Sequence, residues 1–359
     1  MGTQQLNLTP AEATTLGGYR LQVAEVIDET ADARSLVLHV PAELHERFRY
    51  KPGQFLSFRV PVAGKLLTRC YSMASSPDCD ALPKVTVKRV EGGRVSNWMN
   101  QRVQAGDWLE VLPPAGHFHL TAGDHDLVLF GGGSGITPVF SILKSALRTS
   151  QRRIKLIYAN RDDSSVIFRD ELRQLAKANG ERLEVVHVLD SLHGYLTAEE
   201  VRHLVRGHSG AEFFICGPGP FMDTVERALL ALGEAPARIH VERFVSPPDP
   251  DELLAQEAEA RAATAGSACE VLAVELDGRL HEIACRPGDT LLQSCKAAGL
   301  DVPSSCEEGF CGACMCKVQE GDTLLARNDV LSAQELAEGW TLACQSRPTS
   351  ARVRLQFPD

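Results

Sequence analysis

The sequence contains no uninterrupted apolar stretch approaching the roughly 18 to 20 residues that a membrane-crossing helix needs. Its opening, MGTQQLNLTPAEATT, has neither a basic segment nor an apolar one, so a secretory signal is not expected. Leu6 stands where an N-myristoylation signal after Gly2 requires Ser or Thr. Basic blocks are also missing: 37 Lys and Arg face 47 Asp and Glu, a formal net charge of −10. Such a chain is poorly suited to a phosphate backbone or an anionic lipid surface, so neither nucleic acid nor membrane is expected as a partner. No internal repeat is evident. Together these absences imply a cytoplasmic protein, where thiols stay reduced and clustered cysteines signal metal or redox chemistry.

The chain is 359 residues long, 44% apolar and 23% charged, which is a globular balance over more than one domain. Short runs with strand character, at 20–27, 35–40, 55–60, 69–74, 84–90 and 108–112, predict a six-stranded antiparallel β-barrel over residues 17–121. Val85 and Val87 alternate there with Thr86 and Lys88 as in a half-buried strand, and one helix is expected near Val95–Arg102. Over 122–244 the period changes. Strands at 127–130, 154–158, 183–188 and 213–216 alternate with helical patterns, which predicts a parallel sheet covered on both faces, an α/β domain. Residues 245–267, with Pro247, Pro248 and Pro250 and an acidic and Ala-rich composition, read as a tether with at most a turn or two of exposed helix. Residues 268–359 open with a hairpin signal, Asp277-Gly278 between alternating runs, followed by a helix from Thr290 to Ala298.

Of the eleven cysteines, Cys306, Cys311, Cys314 and Cys344 form C-x4-C-x2-C with a distant fourth, the plant-type spacing for a 2Fe–2S cluster. Gly309 and Gly312 let the backbone wrap closely and aim amides at sulfur. A zinc knuckle is disfavoured because Cys344 has no C-x2-C partner. Cys269, Cys285, Cys295 and Cys316 are expected to be small buried hydrophobes without disulfides.

Gly131-Gly-Gly-Ser-Gly-Ile-Thr-Pro138 lies between a strand and a helix. There a pyrophosphate can approach unpaired amides at the positive helix end, and Gly133, Ser134, Gly135, Ile136, Thr137 and Pro138 are candidate dinucleotide contacts. Cys216, Gly217 and Pro218 end a later strand, and ligands of open parallel sheets bind at such ends. Asp162 and Asp163 at a ribose position favour NADH over NADPH, although Arg161 argues the other way.

Arg69-Cys-Tyr71-Ser72 resembles the R-x-Y-S flavin motif of the ferredoxin–NADP reductase superfamily, and KPGQF at 51–55, VKR at 87–89, GRVS at 93–96 and ERF at 242–244 agree. The domain order is similar to that of oxygenase reductases with a C-terminal plant-type ferredoxin. YKPGQFL, RCYS, YANRDD, FICGPGPFM and LACQSRP resemble stretches in reductase components of 3-ketosteroid 9α-hydroxylases, and phenylacetyl-CoA epoxidase reductase subunits share some of them. The resemblance implies a β-grasp fold for the third domain, and FAD, a 2Fe–2S cluster and NADH as cofactors. It implies an electron-transfer function toward a terminal oxygenase, carried out through a shuttling ferredoxin domain with Glu307 and Phe310 near its docking face.

By the same resemblance, Arg69 neutralises the FAD pyrophosphate, Tyr71 lies against the isoalloxazine and Ser72 bonds near flavin N5. Val87, Lys88 and Arg89 hold the ribityl chain, and Gly93, Val95 and Ser96 meet the phosphates. Ser72, Cys216, Glu242 and Phe244 surround the hydride-transfer position, with Phe where relatives carry Tyr. A non-catalytic electron carrier and a reductase of small molecules remain the competing readings.

Overall fold

The computed structural model describes residues 18–243, 250–264, 269–286 and 288–358, with 250–254 and 333 as backbone alone. Phe244, and residues 245–249 and 265–267 of the expected tether, lie outside the described residues.

The N-terminal sheet consists of β1 (Tyr19–Thr30), β2 (Ala33–His39), β3 (Phe55–Val62), β4 (Lys65–Ser72), β5 (Lys84–Lys88) and β6 (Trp108–Val111), in the order β4-β3-β6-β1-β2-β5. Its two edges meet where Met73 bridges Val85 and the Ala74 amide donates to the Lys84 carbonyl at 2.7 Å, so the sheet closes on itself. Closure removes the exposed edges that an open sheet must otherwise protect. One helix, α1 (Arg94–Arg102), interrupts it. The half-buried alternation expected of β5 is not observed: Lys84, Val85, Thr86 and Val87 are all buried, and the Thr86 hydroxyl pairs with that of Ser35 on β2 at 2.7 Å.

The parallel sheet follows: β7 (Leu127–Gly132), α2 (Ile136–Thr149), β8 (Ile154–Asn160), α3 (Arg169–Ala178), β9 (Leu183–Leu189), α4 (Asp190–His193), α5 (Ala198–Leu204), β10 (Glu212–Cys216), α6 (Gly219–Ala231) and β11 (Ile239–Glu242). Its order is β11-β10-β7-β8-β9. Every residue of β7 and β10 is buried, as expected of central strands covered by helices on both faces. Two apolar cores, one on each face, include Phe140 and Phe214 on one side and Phe130 and Phe213 on the other. β11 was not anticipated, being short and flanked by half-exposed positions. The whole of this layer and the greater part of the barrel form one compact unit.

The C-terminal part belongs to a second unit. It begins with α7 (Pro250–Ala263), a 14-residue helix where a tether with a turn or two was expected. Its Ala- and Glu-rich sequence has high helix propensity without an apolar stripe, so periodicity gave no sign of it. The helix is joined to the domain that follows: Arg347, nearly buried, places Nη2 3.7 Å from Glu257 Oε1 and donates from Nε to the Gly288 carbonyl at 3.2 Å.

Then come β12 (Val271–Leu276), β13 (Arg279–Ala284), α8 (Leu291–Ala297), β14 (Met315–Glu320), β15 (Thr323–Leu325), α9 (Ala333–Ala337), β16 (Trp340–Leu342), β17 (Ser346–Pro348) and β18 (Arg352–Gln356). The main sheet runs β13-β12-β18-β14-β16, with β12 parallel to β18 and antiparallel to β13. This mixed sheet with α8 is the expected α+β β-grasp arrangement. A capping box formed by Thr290 and Gln293 starts α8.

The cysteine reading needs one correction. Cys269 and Cys285 form a disulfide, with Cα atoms 5.7 Å apart. The ladder pair Val271–Ala284 and the bond from the Cys285 amide to the Glu270 carbonyl bring both residues to the open end of the β12–β13 hairpin. The redox state of a compartment says nothing about that register. Cys295 and Cys316 are fully buried thiols, as expected. Cys269→Ser is expected to destabilise the oxidised C-terminal domain by up to about 3 kcal/mol, the chain-entropy scale for a loop of about 15 residues. Denaturant unfolding with and without reductant checks this: the difference from wild type should vanish in reductant.

Candidate functional site

At the C-terminal ends of β7 and β10 two backbones approach with no room for side chains. A Cβ on Gly135 would lie 2.1 Å from the Cys216 carbonyl oxygen, and one on Gly217 would lie 2.9 Å from Gly132 Cα. The turn Gly133–Gly135 leads directly into α2. Thr137 Oγ1 donates to the Ser134 carbonyl at 3.0 Å, and Ile136, Thr137 and Pro138 are buried while Ser134 is exposed. Tyr158, which the sequence did not mark as functional, donates from its hydroxyl to the Gly133 carbonyl and accepts from the Ile167 amide, both at 3.2 Å. No side chain caps the start of α2. The Ile136 amide is already bonded to the Gly133 and Ser134 carbonyls and Pro138 has no N–H, so what suits an anion here is the positive end of the helix.

Next to this crevice, β8 ends at Asn160, whose buried side-chain amide has no hydrogen-bond partner. Sequence reasoning passes over it in favour of the charged residues that follow. Arg161 is exposed and its Nε donates to Asp162 Oδ2 at 2.9 Å. Asp162 also caps the turn Asp163–Ser165, accepting from the Ser165 amide at 2.9 Å, and the Arg161 bond holds its carboxyl below the usual range. Arg161 is therefore already matched by an acid.

On the barrel, Arg69, Tyr71 and Ser72 lie on β4. Tyr71 meets Phe58 edge to face, with centroids 5.9 Å apart. Gly93 precedes α1, again without a capping side chain, and Ser96 Oγ accepts from the Val90 amide at 3.2 Å while Val95 is buried. Two backbone groups in the 87–89 stretch are already engaged: Asn100 Nδ2 donates to the Val87 carbonyl at 3.0 Å, and the Arg89 amide donates to the Asp32 carbonyl at 2.7 Å. Lys88 Nζ lies 3.9 Å from Asp32.

Cys216 and Glu242 are register partners on β10 and β11. Burial pushes the Glu242 carboxyl up to about 8 and the Cys216 thiol well above its ordinary value, the thiol further raised by Glu242. Ser72 Oγ and Glu242 Oε2 are both buried without a hydrogen-bond partner. Buried polar atoms are normally bonded. A flavin and a nicotinamide, which offer ring nitrogens and a carboxamide, fit these orphaned groups. Phe244 lies outside the described residues.

The four cysteines expected to hold the cluster, Cys306, Cys311, Cys314 and Cys344, are buried, each 7% exposed or less. They fall into two pairs: the Cys306 amide donates to Cys311 Sγ at 3.4 Å, and the Cys344 amide donates to Cys314 Sγ at 3.5 Å. The Glu308 amide adds a bond to Cys306 Sγ at 3.4 Å, and Gln345 Nε2 one to Cys344 Sγ at 3.6 Å. Gly309 takes a φ of 83°, and a Cβ there would lie 2.8 Å from Gln345 Cγ. Among the described residues no three His, Cys, Asp or Glu side chains are gathered tightly enough for a single metal ion. Two thiolate pairs with amides aimed at sulfur suit two irons bridged by sulfide. Phe310, expected near an exposed docking face, is buried, and Glu307 pairs with Lys296 at 2.6 Å. Apolar burial of the ring outweighs the loop position that the sequence suggested.

Gly135→Ala is expected to cost about 1–3 kcal/mol, the scale of overpacked sites, and to weaken NADH binding; thermal unfolding and NADH titration check both. The Glu242 carboxyl titrates above its ordinary range in the folded protein. Its contribution to stability is therefore full at acid pH and is lost as pH rises through about 8. Between about pH 5 and 8 the unfolding midpoint should fall more steeply in wild type than in Glu242→Gln, and above about pH 8 the two should run parallel.

Three family profiles match the chain in sequence: an oxidoreductase FAD-binding domain over residues 20–120, an oxidoreductase NAD-binding domain over 129–227 and a 2Fe-2S iron-sulfur cluster binding domain over 274–349. Among relatives, the ferredoxin reductase component of 3-ketosteroid-9-alpha-monooxygenase from Rhodococcus rhodochrous is 46% identical, covering 94% of this chain and 96% of that protein. A 1,2-phenylacetyl-CoA epoxidase subunit from Escherichia coli is 34% identical, covering 94% and 97%. Among solved structures, full-length CYP116B46 from Tepidiphilus thermophilus matches with a TM-score of 0.69 and 28% identity, over 99% of this chain and 44% of that longer one. The chain is an oxidoreductase with FAD, NAD and 2Fe–2S domains, and it belongs to the family of monooxygenase ferredoxin-reductase components.

Proposed function

We propose that this chain takes electrons from NADH and delivers them singly to a terminal oxygenase that hydroxylates a 3-ketosteroid at carbon 9. The observation that carries the substrate class is the 46% identity, over 94% of the chain, with a steroid monooxygenase reductase, against 34% for the epoxidase relative. The domain division proposed is 17–121 for FAD, 122–244 for NADH and 268–359 for the cluster.

Bound FAD would supply a hydride acceptor for NADH, and the cluster a carrier of single electrons. The chain's own contribution is placement. The uncapped start of α1 supplies amides and a positive helix end to the pyrophosphate of FAD, with Arg69 as a planar fork, and α2 supplies its positive end to that of NADH. Ser72 offers a hydroxyl and Glu242 a carboxyl that burial keeps protonated below about pH 8, so Glu242 donates a hydrogen bond in the buried site. Cys216, a neutral thiol at the crevice floor, adds no charge there. Arg161, already paired with Asp162, offers little to a 2′-phosphate, which supports NADH. Cys306, Cys311, Cys314 and Cys344 would ligate the irons. Burial pushes the Cys306 thiol well up, and the positive charge of the irons would favour its thiolate.

Cys311→Ser should abolish turnover with the protein acceptor and leave NADH–ferricyanide activity, whereas joint loss with flavin intact would disprove the electron order. Arg69→Ala should lower FAD affinity, measured by flavin release on dilution. The substrate is tested with purified protein and NADH added to source-cell extract lacking it, supplied with a 3-ketosteroid or phenylacetyl-CoA. A 9α-hydroxylated steroid supports the assignment, and an epoxidised thioester replaces it with the epoxidase system.

A further inference from the structure

The barrel and the parallel-sheet layer are joined by a buried polar seam with no part in the proposed electron path. Helix α2 carries Ser141, Lys144 and Ser145 on one side, at helical spacings of three and four. Ser141 Oγ donates to the Ser75 carbonyl at 2.5 Å and accepts from the Gly53 amide at 3.3 Å. Ser145 Oγ pairs with Ser76 Oγ at 2.6 Å, and Lys144 Nζ donates to Asp80 Oδ2 at 2.6 Å. From the barrel, Lys84 reaches the other way to Glu171 on α3 at 3.1 Å. Each lysine also lies over a ring of the α/β layer. Lys84 Nζ is 4.9 Å from the Phe168 centroid and Lys144 Nζ 4.7 Å from that of Phe140, while the two rings stack at 4.5 Å. Phe168 takes a φ of 59°, a left-handed conformation that a bulky residue keeps only where its surroundings hold it.

Two features suggest that this seam determines orientation rather than adhesion. Ser75, Ser76, Ser141 and Ser145 are fully buried and both lysines are at least nine-tenths buried. Apolar side chains would hold two layers together without the desolvation that buried charges and hydroxyls incur, whereas directional bonds select one relative pose. The seam also lies close in sequence to both sites. Ser75 follows Ser72 by three residues and Ser141 follows Pro138 by three, so one hydrogen bond links the strand assigned to the flavin with the helix assigned to the dinucleotide.

We propose that Ser141 and Lys144 are positioning residues for hydride transfer, setting how the nicotinamide meets the flavin rather than how tightly either is held. The inference rests on the assignment of β4 to flavin and of α2 to NADH. Displacements on the order of 1 Å cost about 100-fold in rate in such reactions.

The test is anaerobic stopped-flow reduction of the holoenzyme by NADH and by 4-deuterated NADH. In Lys144→Met and Ser141→Ala, flavin reduction at saturating NADH should fall about tenfold or more, with the NADH dissociation constant changed less than about twofold and the primary isotope effect increased. Reduction by dithionite, which needs no oriented donor, should be unchanged, and Lys144→Arg should recover most of the rate. Reduction rates within about twofold of wild type in both variants would overturn the proposal, as would parallel loss of NADH affinity with an unchanged isotope effect. If either variant loses its flavin on purification, the other, with Ser145→Ala, carries the same measurement. Failure of NADH to reduce the wild-type flavin would instead refute the underlying site assignment.

Discussion

The nucleotide crevice depends on a backbone-to-backbone approach that excludes every Cβ. Gly132, Gly135 and Gly217 let the end of β7, the start of α2 and the end of β10 come together, with a would-be Gly135 Cβ 2.1 Å from a carbonyl oxygen. A side chain at Gly135 would push the turn before α2 off the end of β10, and one at Gly132 or Gly217 would collide with Phe221 at the start of α6 and part the two strand ends. The location of the anion-binding helix end therefore follows from sterics before any electrostatics. The electrostatics then follow from geometry, because a helix start without a capping side chain has its positive end at that spot.

The same closeness explains the polarity of the site. Cys216 and Glu242 end neighbouring strands behind the glycine crossing, where burial makes ionisation costly, so both stay neutral around neutral pH. Neutrality suits the hydride-transfer position proposed for these residues, since a fixed anion beside the nicotinamide would favour the oxidised, cationic form. Ser72 Oγ and Glu242 Oε2, buried and unbonded in the protein alone, are groups that a bound partner must satisfy.

Much of this was legible in the sequence, because the signals were local. Glycine runs between a strand and a helix, cysteine spacing and strand alternation each depend on a few neighbouring residues. The α7 helix was not legible, since a helix without an apolar stripe leaves no period, and its tie through Glu257 to Arg347 joins residues 90 positions apart. The Cys269–Cys285 bond depended on hairpin register rather than on composition. Tyr158 and Asn160 were hidden for a related reason: each sat inside a recognised stretch, and what distinguishes them is burial and the presence or absence of a bonding partner.

Lys84 and Lys144 show where sequence reasoning stops. Lysine on a strand or helix is ordinarily read as a solvated face, and nothing local to KVTVK or to ILKSAL indicates otherwise. Only the fold shows that each lysine crosses from one layer to an acid on the other and rests on a Phe ring there or beside it. A single ion pair would permit rocking about its own axis. Two pairs pointing in opposite directions, with serine–serine and serine–carbonyl bonds between them, resist both sliding and rotation. One link between the two proposed sites is thus a polar seam whose directionality fits orientation better than the apolar cores of the α/β layer do.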